Sequence, residues 1–159
     1  MFDKVKLMPI YIGSDHAGFD AKKELKPFLE ENNFDVTDLG CFTPEPCDYP
    51  DIAREVSEKV LEVEGSLGII ICGTGIGMSM AANKLKGIRA AVATSEEMAE
   101  ASRKHNDANV LAIGSRITGM EDMKKITLKF LQTNFEKDQE RHVRRVEKIE
   151  PANHNHTAK

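Results

Sequence analysis

The chain has 159 residues, 40% hydrophobic and 30% charged, with a net charge of −4. That length lies in the single-domain range and buries a sizeable core, while the mildly acidic balance argues against a general nucleic-acid-binding surface. No apolar run approaches the roughly 20 residues a membrane span needs, so no membrane partner is expected.

Met1 to Lys6 lead straight into a strand without a secretory apolar region, and the three cysteines then suggest no disulfide framework. A reducing cytoplasm is the expected compartment. Met8 to Ser14 reads as the first strand, followed by a helix from Phe19 to Asn32 with Leu25, Phe28 and Leu29 on one face. Asp35 to Leu39 is a second strand. A proline-rich loop leads to Pro50, in the first turn of a helix reaching Val63. Leu67 to Cys72 is an apolar third strand, and a short helix starts near Gly77.

Ala90 to Ala93 is strand four. Thr94 to Glu97 has the spacing of a capping box opening the next helix, and Thr118 to Glu121 repeats it after strand five, Val110 to Gly114. A basic helix from Arg141 to Ile149 precedes the polar segment 151–159, expected to be disordered, so residues 1–150 form one domain. Strands alternating with helices predict a doubly wound, Rossmann-like α/β fold with a five-stranded parallel sheet and helices on both faces. Ligands of such sheets bind beyond the carboxyl ends of the strands, where Gly13 to Gly18 and Cys72 to Gly77 fall.

Neither loop fits a nucleotide motif. Gly73 and Gly75 match the start of G-x-G-x-x-G, but Met78 takes the third glycine's place and no acid stands at position 93. Gly13 to Gly18 continues with Phe19-Asp20 rather than Lys-Ser/Thr. The run Gly73-Thr74-Gly75-Ile76-Gly77 instead offers uncovered backbone N–H groups to an anion. Cys72 closes the strand against it. An isolated buried cysteine is usually a small hydrophobe, but a thiol among backbone donors is an activated base or nucleophile.

A base beside an anion hole supplies the two parts of enolisation next to a carbonyl, with Thr74 as a further hydroxyl donor. Asp15-His16 ends strand one and meets a polar substrate there. His105, Asn106 and Arg116 flank strand five, and Arg141 and Arg145, four apart on one helix face, can clamp a phosphate. Cys41 and Cys47 have neither metal nor redox spacing and are read as bystanders. His154 and His156 do not make a metal site.

These residues resemble the ribose/galactose isomerase family, in particular its type B ribose-5-phosphate isomerases. The matching stretches are 13–19, Asp48-Tyr49-Pro50, 72–84, 87–90, 105–111, Gly114-Ser115-Arg116 and Arg141-His142 with Arg145-Val146. The resemblance implies interconversion of ribose 5-phosphate and ribulose 5-phosphate in the pentose phosphate pathway, without metal or cofactor. It implies Cys72 as the base, His105 as the ring-opening acid and Thr74 as part of the catalytic set. Asp15, His16, Tyr49, Gly73, Thr74, Gly75, Ile76, Gly77, Asn106, Arg116, Arg141 and Arg145 would bind substrate. The family's Gly-Gly before Arg-His is replaced here by Phe135 to Glu140, which predicts a different path into the last helix and negative charge near the phosphate.

The predicted topology has a consequence. Cys72 follows its strand and His105 precedes its own, so they fall on opposite sheet edges. A homodimer with shared active sites is therefore expected, the last helix reaching the partner subunit, with a dimer of dimers as a further assembly. Competing readings are isomerisation of allose 6-phosphate or galactose 6-phosphate, and a non-catalytic phosphosugar-binding module.

Overall fold

The computed structural model describes residues 7–150. The segment 151–159 lies outside them. Five strands, β1 (Pro9–Ser14), β2 (Asp35–Asp38), β3 (Leu67–Cys72), β4 (Ala90–Val92) and β5 (Val110–Gly114), form one sheet in the order β2-β1-β3-β5-β4. Every pairing is parallel. The helices are α1 (Phe19–Glu31), α2 (Tyr49–Glu62), α3 (Ile76–Ala82), α4 (Glu96–Asn106), α5 (Met120–Gln132) and α6 (Glu140–Ile149).

All six residues of central β3 are buried, as an apolar strand covered on both faces requires. Its alternating side chains divide the core. Ile69 and Ile71 pack with Leu25, Leu29, Met123 and Phe130 under α1 and α5. Ile70 and Cys72 pack with Val56, Val60 and Met78 under α2 and α3. Each such aliphatic side chain contributes about 2 kcal/mol by leaving water. The expected doubly wound fold is therefore present, with strand and helix ends within one or two residues of those read from the sequence.

Three expectations need correction. The cap of α4 is Ser95, whose side chain accepts from Met98 N–H, one residue beyond the expected Thr94. At α5 the N-cap is Gly119 without a side-chain bond, while Thr118 is buried. The extended backbone at Gly119 already turns the chain into the helix, and Thr118 is drawn inward instead. Cys41 and Cys47 are not bystanders but bonded to each other, their Cα atoms 7.2 Å apart. Both ends of the loop sit at the end of β1, where Gly40 O accepts from Ser14 N–H, Cys41 N–H donates to Ser14 O, and Cys47 N lies 3.5 Å from His16 Nδ1. No local spacing signals such a return.

Lys22 on α1 is buried with its ammonium 2.7 Å from Asp38 and 2.5 Å from the Cys41 carbonyl. One cation thus joins α1, β2 and the loop leading toward the site. Removing it strands a partly buried carboxylate, a change that costs about 3 kcal/mol. Lys22→Met is expected to lower unfolding free energy by about that amount in urea titrations; an unchanged midpoint would rule out this tie.

Candidate active site

The parallel sheet delivers the ends of β1, β3 and β5 to one edge. There β3 and β5 pair Cys72 with Gly114. Ser115 N–H donates to Cys72 O, and Arg116 N–H to Gly73 O. The Ser115 hydroxyl lies 2.8 Å from Ala17 O and 3.2 Å from Cys72 O, joining all three post-strand loops. Ser115 is the tie that the sequence reading passed over; its position directly after a strand was the available signal.

Cys72 is the one free cysteine in the described residues and is buried. Its Sγ accepts the Gly75 N–H at 3.1 Å. Gly75 adopts φ 79°, and a Cβ there would lie 3.0 Å from the Ile113 carbonyl carbon, so glycine is required twice over. The anion cradle is consequently narrower than all five residues. Gly75 N–H serves the sulfur and Ile76 N–H reaches Thr74 Oγ1 at 3.3 Å, which leaves the Thr74 hydroxyl hydrogen free to donate.

Other expected residues gather here. A Cβ built on Gly73 would lie 3.2 Å from Arg116 Nη1, so the guanidinium stands beside the loop. Among the described residues it has no carboxylate within 4.0 Å. Tyr49, the first residue of α2, lays its phenol against Gly77, where a Cβ would come within 2.8 Å of the ring. Buried Asp15 accepts the Gly18 N–H at 3.1 Å, while its own N–H donates to Ile71 O. His16 is exposed, with Nδ1 3.5 Å from Cys47 N.

His105, Asn106, Arg141 and Arg145 lie elsewhere. His105 and Asn106 are the last two residues of α4 and are exposed. They precede Val110, at the opposite end of β5 from Gly114, a strand length of about 13 Å. His105 stacks on His142 of α6, with ring centroids 4.6 Å apart. Arg141 and Arg145 project from the same helix into solvent. Burial, then His105 and Arg141, push the His142 imidazole below its ordinary pKa, against the opposing pull of Glu136. A cavity of about 530 Å³ also opens on this side, lined by Leu85, Ile88, Asn106 and Ile149 and not by Cys72.

The expected residues thus fall into two groups on opposite sheet edges. The thiol, its donor loop, Arg116 and Tyr49 form one, and two further arginines with two stacked imidazoles form the other. Residues 10–149 match the family described as Ribose/Galactose Isomerase. The chain belongs to that family. It is 46% identical over 140 residues to ribose-5-phosphate isomerase B of Escherichia coli K12, covering 88% of this chain and 93% of that protein. It is 44% identical over 143 residues to the putative sugar phosphate isomerase YwlF of Bacillus subtilis 168, covering 89% and 95%. The solved ribose-5-phosphate isomerase B of Clostridium thermocellum superposes with a TM-score of 0.86 at 47% identity, over 89% of this chain and 95% of that one. Among the described residues of this family member no helix is long and apolar enough to cross a membrane.

The sulfur's dependence on one backbone donor can be tested. Gly75→Ala forces a left-handed alanine against the β5 backbone, costing about 1–3 kcal/mol of strain. Chemical denaturation should register that loss, and sugar-phosphate isomerase activity should fall at least tenfold in the folded variant. Unchanged stability and turnover would show that the loop does not need this conformation.

Proposed function

We propose that the chain interconverts ribose 5-phosphate and ribulose 5-phosphate by proton transfer through an enediolate. The observation that carries this reading is a buried thiol hydrogen-bonded to a backbone N–H at the carboxyl edge, beside a guanidinium that has no carboxylate partner among the described residues. Relatives bearing that activity in their names match nearly the whole chain.

In the proposed reaction, His105 protonates the ring oxygen as the C1–O4 bond breaks, and the anomeric hydroxyl gives up its proton to solvent, leaving the open aldehyde. The Cys72 thiolate removes the proton from C2 of the open aldose, and the electron pair moves through the new C1–C2 double bond onto O1. Donors of the 73–77 loop and the Thr74 hydroxyl stabilise that oxyanion. The proton returns from Cys72 to C1 while the O2 proton passes to O1, leaving the ketone at C2. Carbon oxidation levels exchange within one molecule, so no external oxidant or reductant is consumed. Asp15, His16, Tyr49 and Asn106 orient the sugar; Arg116, Arg141 and Arg145 neutralise its phosphate.

Since the two groups of residues lie at opposite edges, the working site is assembled between two copies. A two-fold interface bringing one α6 and the end of one α4 to the other chain's Cys72 makes two equivalent sites. Complementation tests both the roles and the sharing. Cys72→Ala and His105→Asn chains should each be nearly inactive on ribose 5-phosphate. Mixed in equal amounts under proven subunit exchange, they should recover about a quarter of wild-type activity, because half the dimers are hybrids with one intact site. No recovery would sink the shared site, and wild-type turnover by Cys72→Ala would remove the thiol from its role. A parallel assay with allose 6-phosphate reports the size limit of the pocket.

A further inference from the structure

We infer that His105, Glu136 and His142 form a binding site for a divalent zinc-class ion, and that its occupancy withdraws His105 from proton transfer. Their ligand atoms all lie within 4.8 Å of one another. Two imidazoles and a carboxylate, with a fourth position left open, match the donor set that zinc accepts.

The backbone holds the three donors together. Glu136 N–H donates to Lys104 O, next to His105, while Gln139 N–H returns to Glu136 O and His142 N–H to Gln139 O. The connection from α5 to α6 is thereby pinned to the end of α4. His142 is 4% exposed, and its Nε2 is fully enclosed without a hydrogen-bond partner. That nitrogen instead faces Glu136 Oε2 at 3.3 Å. A buried imidazole nitrogen that lies beside a carboxylate without being hydrogen-bonded to it is costly unless another group satisfies both.

Tetrahedral zinc places its ligand atoms about 3.3 Å apart. The His142–Glu136 pair already has that separation. Exposed His105 has only to rotate off its stack to complete the set. Arg141 and Arg145 on the same helix oppose a cation and moderate its affinity, whereas Glu136 supplies the one negative charge within the set. The bound ion is inhibitory, because it occupies the nitrogen on which His105 would carry the proton it donates. Binding rests on the geometry alone, but its effect on turnover rests on the isomerase reading above.

The test is equilibrium dialysis of the full chain against Zn²⁺ at neutral pH, with Cys72→Ser and the double change His154→Ala, His156→Ala as backgrounds that remove other soft ligands. One ion per chain is expected in the wild type and in each background. Affinity should fall at least tenfold in Glu136→Gln and in His142→Gln, with circular dichroism confirming that both fold. Co²⁺ in the same site should give a tetrahedral visible spectrum without a thiolate band. Zinc should suppress turnover reversibly to chelation in the wild type and much less in Glu136→Gln. Undiminished binding in both variants overturns the site; stoichiometric binding with undisturbed turnover overturns the withdrawal of His105. A chain inactive on ribose 5-phosphate under all conditions would refute the isomerase reading and leave the dialysis result standing.

Discussion

The pairing of β3 with β5 is the constraint on which the candidate site depends. It sets Cys72 opposite Gly114, so the chain leaving each strand begins its loop at the same height. Ser115 and Arg116 then bond back to the carbonyls of Cys72 and Gly73. The sulfur, its donor Gly75 and the guanidinium of Arg116 are therefore held by sheet geometry rather than by flexible loop contacts. Slipping this register by one residue would turn Cys72 to the opposite face of the sheet, away from its donor.

The same parallel geometry keeps the two groups of expected residues apart. In a parallel sheet every strand end lies on one edge and every strand start on the other. A residue just before β5 is separated from one just after β3 by the strand's full length. His105 is such a residue, and α6 packs against α4 at that same end, with Arg89 linking Glu150 to Asp107 across the junction. Movement of a loop does not close a gap set by strand length. Under the reading proposed above, association of two copies closes it, and catalysis would then depend on assembly.

The fold was largely legible because its signals are local. An apolar β-branched run such as Leu67 to Cys72 carries its own identity, as do the helical spacings of α1 and α2. The Cys72 loop was legible too, since alternating glycines directly after an apolar strand mark a tight strand-to-helix loop. What escaped needed long-range information. The Cys41–Cys47 bond depends on the loop returning to the end of β1, and Lys22 reads as an ordinary surface lysine until Asp38 and Cys41 O converge on it. Ser95 displaced Thr94 as the cap because one residue of register is below what sequence spacing resolves. The division of the site into two edges, by contrast, followed from element order alone.

The stretch 135–140 shows how a local departure acquires physical meaning. Read as sequence, Glu136, Asp138 and Glu140 only set negative charge near a phosphate clamp. In the fold Glu136 turns to the buried nitrogen of His142, whose ring in turn supports His105. Its charge therefore acts first on the imidazole pair and only indirectly on the arginines, which point to solvent. One helix thus carries the buried imidazole and, exposed to solvent, the two arginines proposed to hold the phosphate.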